Sequence, residues 1–133
     1  MATLLGFDYG PRKIGVAVGQ TITGSASPLT TLRSREQRPD WDAIADLIGA
    51  WRPTALVVGL PFNMDDTEAV WADAARRFAR QLQGRFGLAV HLVDERLTSL
   101  EARRQLGGMA KASETVDAMA AKLILETWLC DQQ

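Results

Sequence analysis

Residues 54–60, Thr-Ala-Leu-Val-Val-Gly-Leu, carry no charge and no polar alternation. A strand with one wet face alternates, whereas a continuous apolar run is a strand covered on both faces, as at the centre of a parallel or mixed sheet. Such a strand needs helices above and below it, and the flanking sequence supplies them. Upstream, Trp41, Ile44, Ala45, Ile48 and Trp51 recur at helical spacing, with Asp40 as N-cap and Pro53 as the stop. Downstream, past the loop Pro61-Phe62-Asn63-Met64-Asp65-Asp66, the residues Trp71, Ala75, Phe78 and Leu82 repeat the pattern until Gly87 ends it. This spacing puts Trp41, Trp51 and Trp71 in the core, while Trp128 near the chain end packs or serves a partner surface.

The first third reads differently. Residues 3–8 and 13–19 are strand-like, and the turn Asp8-Tyr9-Gly10-Pro11 between them is short enough for an antiparallel hairpin. A third strand, Ala26 to Leu32, contains Pro28, which suits an edge. Leu88 to Val93 is the fifth strand. Thr98 with Glu101 makes a capping box for a short helix ending at Gly107-Gly108. The last helix runs from about Ser113 to Leu129, with Val116, Ala120, Leu123 and Thr127 as one stripe. The order β-β-β-α-β-α-β-α-α predicts an α/β fold, a five-stranded mixed sheet with helices on both faces.

At 133 residues, the chain has room for one domain, 1–133. Its 47% apolar and 23% charged residues exclude disordered and coiled-coil classes. No apolar stretch reaches membrane-spanning length, and the start of the chain lacks the pattern of a signal peptide. Cys130 is the single cysteine, which excludes an internal disulfide and a cysteine zinc site and fits a reducing cytoplasm. The net charge of −1 neither announces nor excludes a polyanionic partner.

Three acids fall near the carboxyl ends of the parallel strands, where open α/β sheets bind ligands. Asp8 ends the first strand, Asp94-Glu95 ends the fifth, and Asp117 opens the last helix. Each has a local explanation as well. Asp8 suits a turn, Glu95 is placed to pair with Arg96, and Asp117 suits a helix N-terminus. Yet Ala120, Ala121 and Ile124 follow Asp117 at three, four and seven residues, so it stands on an apolar flank and needs a partner. Clustered carboxylates call for a cation, and oxygen donors without His or Cys suit Mg²⁺ or Mn²⁺. His91, the one histidine, sits inside the fifth strand with no second ligand near it in sequence and reads as structural. Two hard cations would serve an in-line phosphoryl displacement without a Ser, Cys or His nucleophile.

Five ordered blocks carry a resemblance. They are Gly6-Phe7-Asp8-Tyr9-Gly10 with Ile14-Gly15-Val16-Ala17; Ala26-Ser27-Pro28-Leu29; Val57-Val58-Gly59-Leu60-Pro61 with Asn63-Met64; Asp94-Glu95-Arg96-Leu97-Thr98-Ser99; and Asp117-Ala118-Met119-Ala120-Ala121 with Ile124-Leu125. Together the chain resembles the YqgF/RuvX family, described as Holliday-junction-resolvase-like, over almost its whole length. The resemblance implies a ribonuclease H-like fold and a metal-dependent nuclease acting on structured nucleic acid, whose bacterial members are linked to 5′-end maturation of 16S ribosomal RNA. It also implies an acidic triad of Asp8, Glu95 and Asp117 holding Mg²⁺ or Mn²⁺, with Asp94 as an auxiliary acid. Arg12, Lys13, Arg96 and Lys111 match the family's basic positions and are expected to contact nucleic-acid phosphates. Two departures stand out. Gly19-Gln20 replaces an acid many members carry, and Asp65-Asp66 replaces the usual Asp-Gly.

The partner the resemblance implies is RNA, as pre-16S rRNA or a pre-ribosomal particle, met by a cytoplasmic monomer or homodimer. Branched DNA is the second candidate substrate, and it favours a two-fold dimer because a junction offers paired cleavage points. A non-catalytic module that binds nucleic acid or the ribosome is the third reading. A reduced sugar-kinase relative is a poor fit, since the chain is about half the length of two ATP-closing lobes. Gly15, Gly19 and Gly24 do not form a dinucleotide fingerprint. Arg76, Arg77 and Arg80 read as a solvated helix face.

Overall fold

The computed structural model describes residues 2–10, 12–36, 38–60, 66–94 and 113–131. Side chains at 60, 66–72, 94, 113–117 and 131 fall outside that description. The elements are β1 (Thr3–Tyr9), β2 (Lys13–Gln20), β3 (Ser25–Arg33), α1 (Trp41–Trp51), β4 (Ala55–Leu60), α2 (Asp66–Phe86), β5 (Ala89–Asp94) and α3 (Ser113–Asp131). The expected short helix between Thr98 and Gly108 lies outside the described residues.

The sheet order is β3-β2-β1-β4-β5. β1, β2 and β3 form the antiparallel meander, and β1, β4 and β5 are parallel. β3 is an edge, as Pro28 requires, and the β2–β3 register shifts between Val16 and Ala17 where Pro28 cannot donate to the ladder. β4 lies between two parallel neighbours, and Leu56, Val57 and Val58 are fully buried, as its unbroken apolar run demands.

Strand alternation divides the core in two. Leu5, Phe7, Ile14, Val16, Leu56 and Val58 face α1 and α2 and meet Ile44, Ala75, Phe78 and Leu82. Leu4, Ala17, Ala26 and Val57 face α3 and meet Ala121, Ile124, Leu125 and Leu129. The stripe of α3 that meets the sheet is thus Ala121, Ile124, Leu125 and Leu129, and of the expected stripe Ala120 is buried as well. Leu123 and Thr127, expected to be buried, are only partly covered, and the Thr127 hydroxyl donates to the Leu123 carbonyl at 2.7 Å. The 3.6-residue period fits both stripes nearly equally on so apolar a helix, and the two sheet glycines at which α3 seats choose between them.

Helix ends follow the sequence closely. Asp40 accepts from the Ala43 backbone N–H at 3.1 Å and caps α1. Arg52 takes a left-handed conformation (φ 49°) at the other end, because Pro53 denies it the helical one. Gly87 (φ 67°) closes α2 and donates to the Gln83 carbonyl at 2.9 Å. A core expectation also fails in α1. Trp51 is 40% exposed, since in the last turn of α1 the core is met by Leu47 and Ile48 instead, and Ala45 is also exposed. Trp41 packs as expected, with its ring centroid 5.6 Å from that of Phe78.

Candidate nucleic-acid cleavage site

Asp8 is the next-to-last residue of β1 and is half-buried. Its cross-strand partner on β2 is Gly15, and its parallel partner on β4 is Gly59. In-register partners share a face, so the two positions beside Asp8 carry no side chain. The level beside Asp8 is thus free of side chains on this face at the carboxyl end of the parallel strands, and both glycines are buried. Gly10 holds the turn that follows. A Cβ there would lie 2.8 Å from the Lys13 carbonyl, so only glycine lets the chain fold back so tightly.

The same register relates Asp8 to β5. Gly59 pairs with Val93 and Leu60 with Asp94. Val93 is therefore level with Asp8, two strand spacings or about 10 Å away. Val93 packs into the α3-side core, the face shared by Leu4, Gly6 and Asp8. Glu95, two residues after Val93, lies outside the described residues, as do Arg96 and Lys111.

Position 117 is fixed through α3. Two sheet glycines lie so close to α3 that a Cβ on either would meet it. At Gly19, level with Leu4, the neighbours are Leu125 at 2.9 Å and Leu129 at 3.1 Å; at Gly6 they are Leu125 at 2.9 Å and the Ala121 carbonyl at 3.2 Å. The helix thus descends as β1 climbs. Two strand residues from Gly6 to Asp8 advance about 6.6 Å, and four helical residues from Ala121 back to position 117 advance about 6 Å. The α3 backbone at 117 is accordingly level with Asp8 on the same side of the sheet. Ala118, Ala120, Ala121 and Ile124 are buried, as the apolar flank after Asp117 requires.

Of the basic positions, Arg12 is exposed in the β1–β2 turn and Lys13 is half-buried at the start of β2, paired in register with Arg33. His91 stacks on Trp128 with centroids 4.6 Å apart and so packs β5 against α3. Among the described residues, which include Asp8 but neither Glu95 nor the side chain of Asp117, no three His, Cys, Asp or Glu side chains gather closely enough to hold a metal ion. Sequence reasoning missed the part played by Gly15 and Gly59; their signal was present as glycines inside two otherwise apolar strands.

A family model described as RuvX, Holliday junction resolvase, matches residues 2–131. The chain belongs to the RuvX family. Among curated relatives, a protein of Nitrosococcus oceani is 55% identical over 133 residues, covering 98% of this chain and 88% of its own, and bears the provisional name pre-16S rRNA nuclease. A Coxiella burnetii protein with the same name is 53% identical over 131 residues, covering 97% of this chain and 93% of its own. Among solved structures, Thermus thermophilus RuvC in complex with a Holliday junction superposes with a TM-score of 0.58 at 17% identity, over 93% of this chain and 92% of RuvC. That likeness gives the fold, which is ribonuclease H-like.

Proposed function

We propose that this RuvX protein works as a single domain that hydrolyses phosphodiester bonds in structured RNA, with the pre-16S ribosomal RNA named for its relatives as substrate. The observation that carries the reading is Asp8 between Gly15 and Gly59 at the strand ends, level with position 117 of α3. Glu95 is taken as the third acid on the family resemblance, with Asp94 as an auxiliary. An all-oxygen donor set of this kind fits Mg²⁺ or Mn²⁺, and His91 is engaged with Trp128.

Asp8, Glu95 and Asp117 would hold the cations. When bound, a pair of such ions supplies charge stabilisation to both the attacking and the departing oxygen of an in-line displacement. Asp8, from the central strand of the sheet, would set where the cations are held. The flanking glycines let the phosphate backbone approach the sheet without meeting a side chain. Arg12, Lys13, Arg96 and Lys111 hold the phosphates on either side by charge, without reading sequence.

The test is Asp8→Asn assayed for Mn²⁺- or Mg²⁺-dependent cleavage of a pre-16S RNA fragment, with folding checked by circular dichroism. Cleavage should fall by about a hundredfold or more, in line with the loss of a centrally placed charge in an electrostatically driven site. Undiminished cleavage by the folded variant refutes the reading. The family description favours a second substrate, a four-way DNA junction. Run beside the RNA, the junction decides between them: preferential cutting of the junction by a two-fold dimer replaces RNA with branched DNA as the substrate.

A further inference from the structure

The opposite face of the sheet carries a feature that the acidic site does not use. Tyr9 follows Asp8 and, by alternation, turns to the α1–α2 side, where its ring lies 5.0 Å from that of Phe78. There two adjoining depressions of about 730 and 510 Å³ share Arg38, Pro39 and Trp41. The first is also lined by Arg33 and Arg35, and the second by Tyr9, Arg77 and Arg85.

The arginines are held in a defined array. Arg35 and Arg38 pair across a two-residue turn, each backbone N–H donating to the other's carbonyl at 3.1 and 2.8 Å, with Glu36 in a left-handed conformation (φ 50°). Directly paired residues project to one side, so two like charges stand together, an arrangement that costs stability unless an anion joins them. Arg77 and Arg85 lie eight residues apart on α2, along one stripe and about 12 Å from end to end. Arg85 is seated over the Trp41 ring at 4.2 Å, and Arg77 is close enough to Tyr9 for its charge to act on the phenol. Arg35, Arg38, Arg77 and Arg85 are all exposed, and among the described residues none of the four forms an ion pair with a carboxylate. Glu36, Asp40 and Asp42 border the first depression, but Asp40 is engaged as the cap of α1.

We propose that Arg35, Arg38, Arg77 and Arg85 form a phosphate track for the arm of nucleic acid that leaves the Asp8 end of the sheet, on the face away from α3. The proposal rests on the nuclease reading for the identity of the polyanion. The track binds backbone and not bases, because Trp41 is covered by Phe78 on one side and Arg85 on the other and has no open face for stacking. Arginine suits the task, since its planar fork meets a phosphate with two parallel hydrogen bonds.

The full chain, with metal withheld by EDTA so that nothing is cut, is titrated with a labelled RNA hairpin whose stem is extended beyond the cleavage region. The triple variant Arg35→Gln, Arg38→Gln, Arg77→Gln replaces exposed residues only, and Arg52→Gln, at the far end of α1, is the control. The triple variant should bind about tenfold or more weakly and flatten the dependence of log affinity on log salt by roughly 2 to 3, about one per lost phosphate contact. The control should match wild type. The corresponding triple Lys variant should restore the salt slope while recovering only part of the affinity. Unchanged affinity and slope in the folded Gln triple variant overturn the track, even where Asp8→Asn abolishes cleavage. Weakened binding in a protein that never cuts RNA keeps the track and defeats the nuclease reading.

Discussion

Gly6 and Leu125 meet without room for one more carbon: a Cβ on Gly6 would lie 2.9 Å from the Cβ of Leu125. The Ala121 carbonyl, 3.2 Å from the same point, belongs to the helix backbone and cannot swing aside. Gly6 therefore sets the depth at which α3 seats on β1, and with it the height of position 117 over Asp8. Gly6→Ala should cost about 1–3 kcal/mol by overpacking. It should also depress metal-dependent cleavage well below the loss explained by unfolding, because the helix carrying Asp117 is displaced. Denaturant titration beside cleavage rates, measured where the variant is fully folded, separates the two effects. Cleavage that only tracks the folded fraction contradicts this role.

Tyr9 predicts an alkaline limb in stability. Burial pushes its phenol above the ordinary value of 10.0, with the charge of Arg77 opposing. The folded protein keeps the phenolic proton at a pH where the unfolded chain has released it. Stability is thus unaffected below about pH 10 and falls as pH rises beyond it. Tyr9→Phe removes the titrating group and should flatten this limb, so urea titrations of the two proteins should run parallel at neutral pH and diverge above pH 10. Parallel curves throughout contradict the assignment.

These two residues also mark what the sequence made legible. The order of elements and the mixed sheet followed from apolar runs and turn residues, while hairpin closure and right-handed crossovers left a few arrangements from which the structure selects β3-β2-β1-β4-β5. Asp8 was visible because a lone acid interrupts a strand ahead of Gly10. The seating of α3 was not visible. Its helix is apolar on more than one side, so periodicity favoured Leu123 and Thr127, while contact with Gly6 and Gly19 buries Ala121, Ile124 and Leu125. Trp51 misled for a related reason, since helical spacing identifies a face but not the point where the helix outruns its sheet. The paired arginines at 35 and 38 were hidden because a tight turn built on Glu36 with φ 50° leaves no glycine signature.

His91 invites assignment as a metal ligand because it is the one histidine in the chain. Its stack on Trp128 argues for packing instead. His91→Ala should lower stability by about 1 kcal/mol, the usual value of an aromatic pair. Cleavage and the apparent affinity for Mn²⁺ should stay within about twofold of wild type, as for a substitution outside the reacting groups. His91→Phe should restore the stability. A large rise in the Mn²⁺ concentration needed for half-maximal cleavage in His91→Ala would place the imidazole among the ligands.

Gly15 gives the most direct probe of the side-chain-free level beside Asp8. It is buried, faces Asp8 across the β1–β2 ladder, and shares its side of the sheet. A methyl group there projects into the level where phosphate and cations would sit, about 5 Å from the Asp8 Cβ. Gly15→Ala improves the local strand propensity, since glycine is a poor strand former, so loss of fold is not the expected result. Cleavage should nonetheless fall by about tenfold or more, a misplacement cost typical of sites that depend on positioning. The loss should appear in kcat at saturating metal, because the acids remain while the reacting phosphate is held away from them. Binding to the extended hairpin in EDTA should hardly change, as the arginine track lies on the other face. Gly15→Ala with wild-type kcat would mean that the reacting phosphate does not approach the sheet beside Asp8, and the cleavage site would have to be sought elsewhere on the molecule.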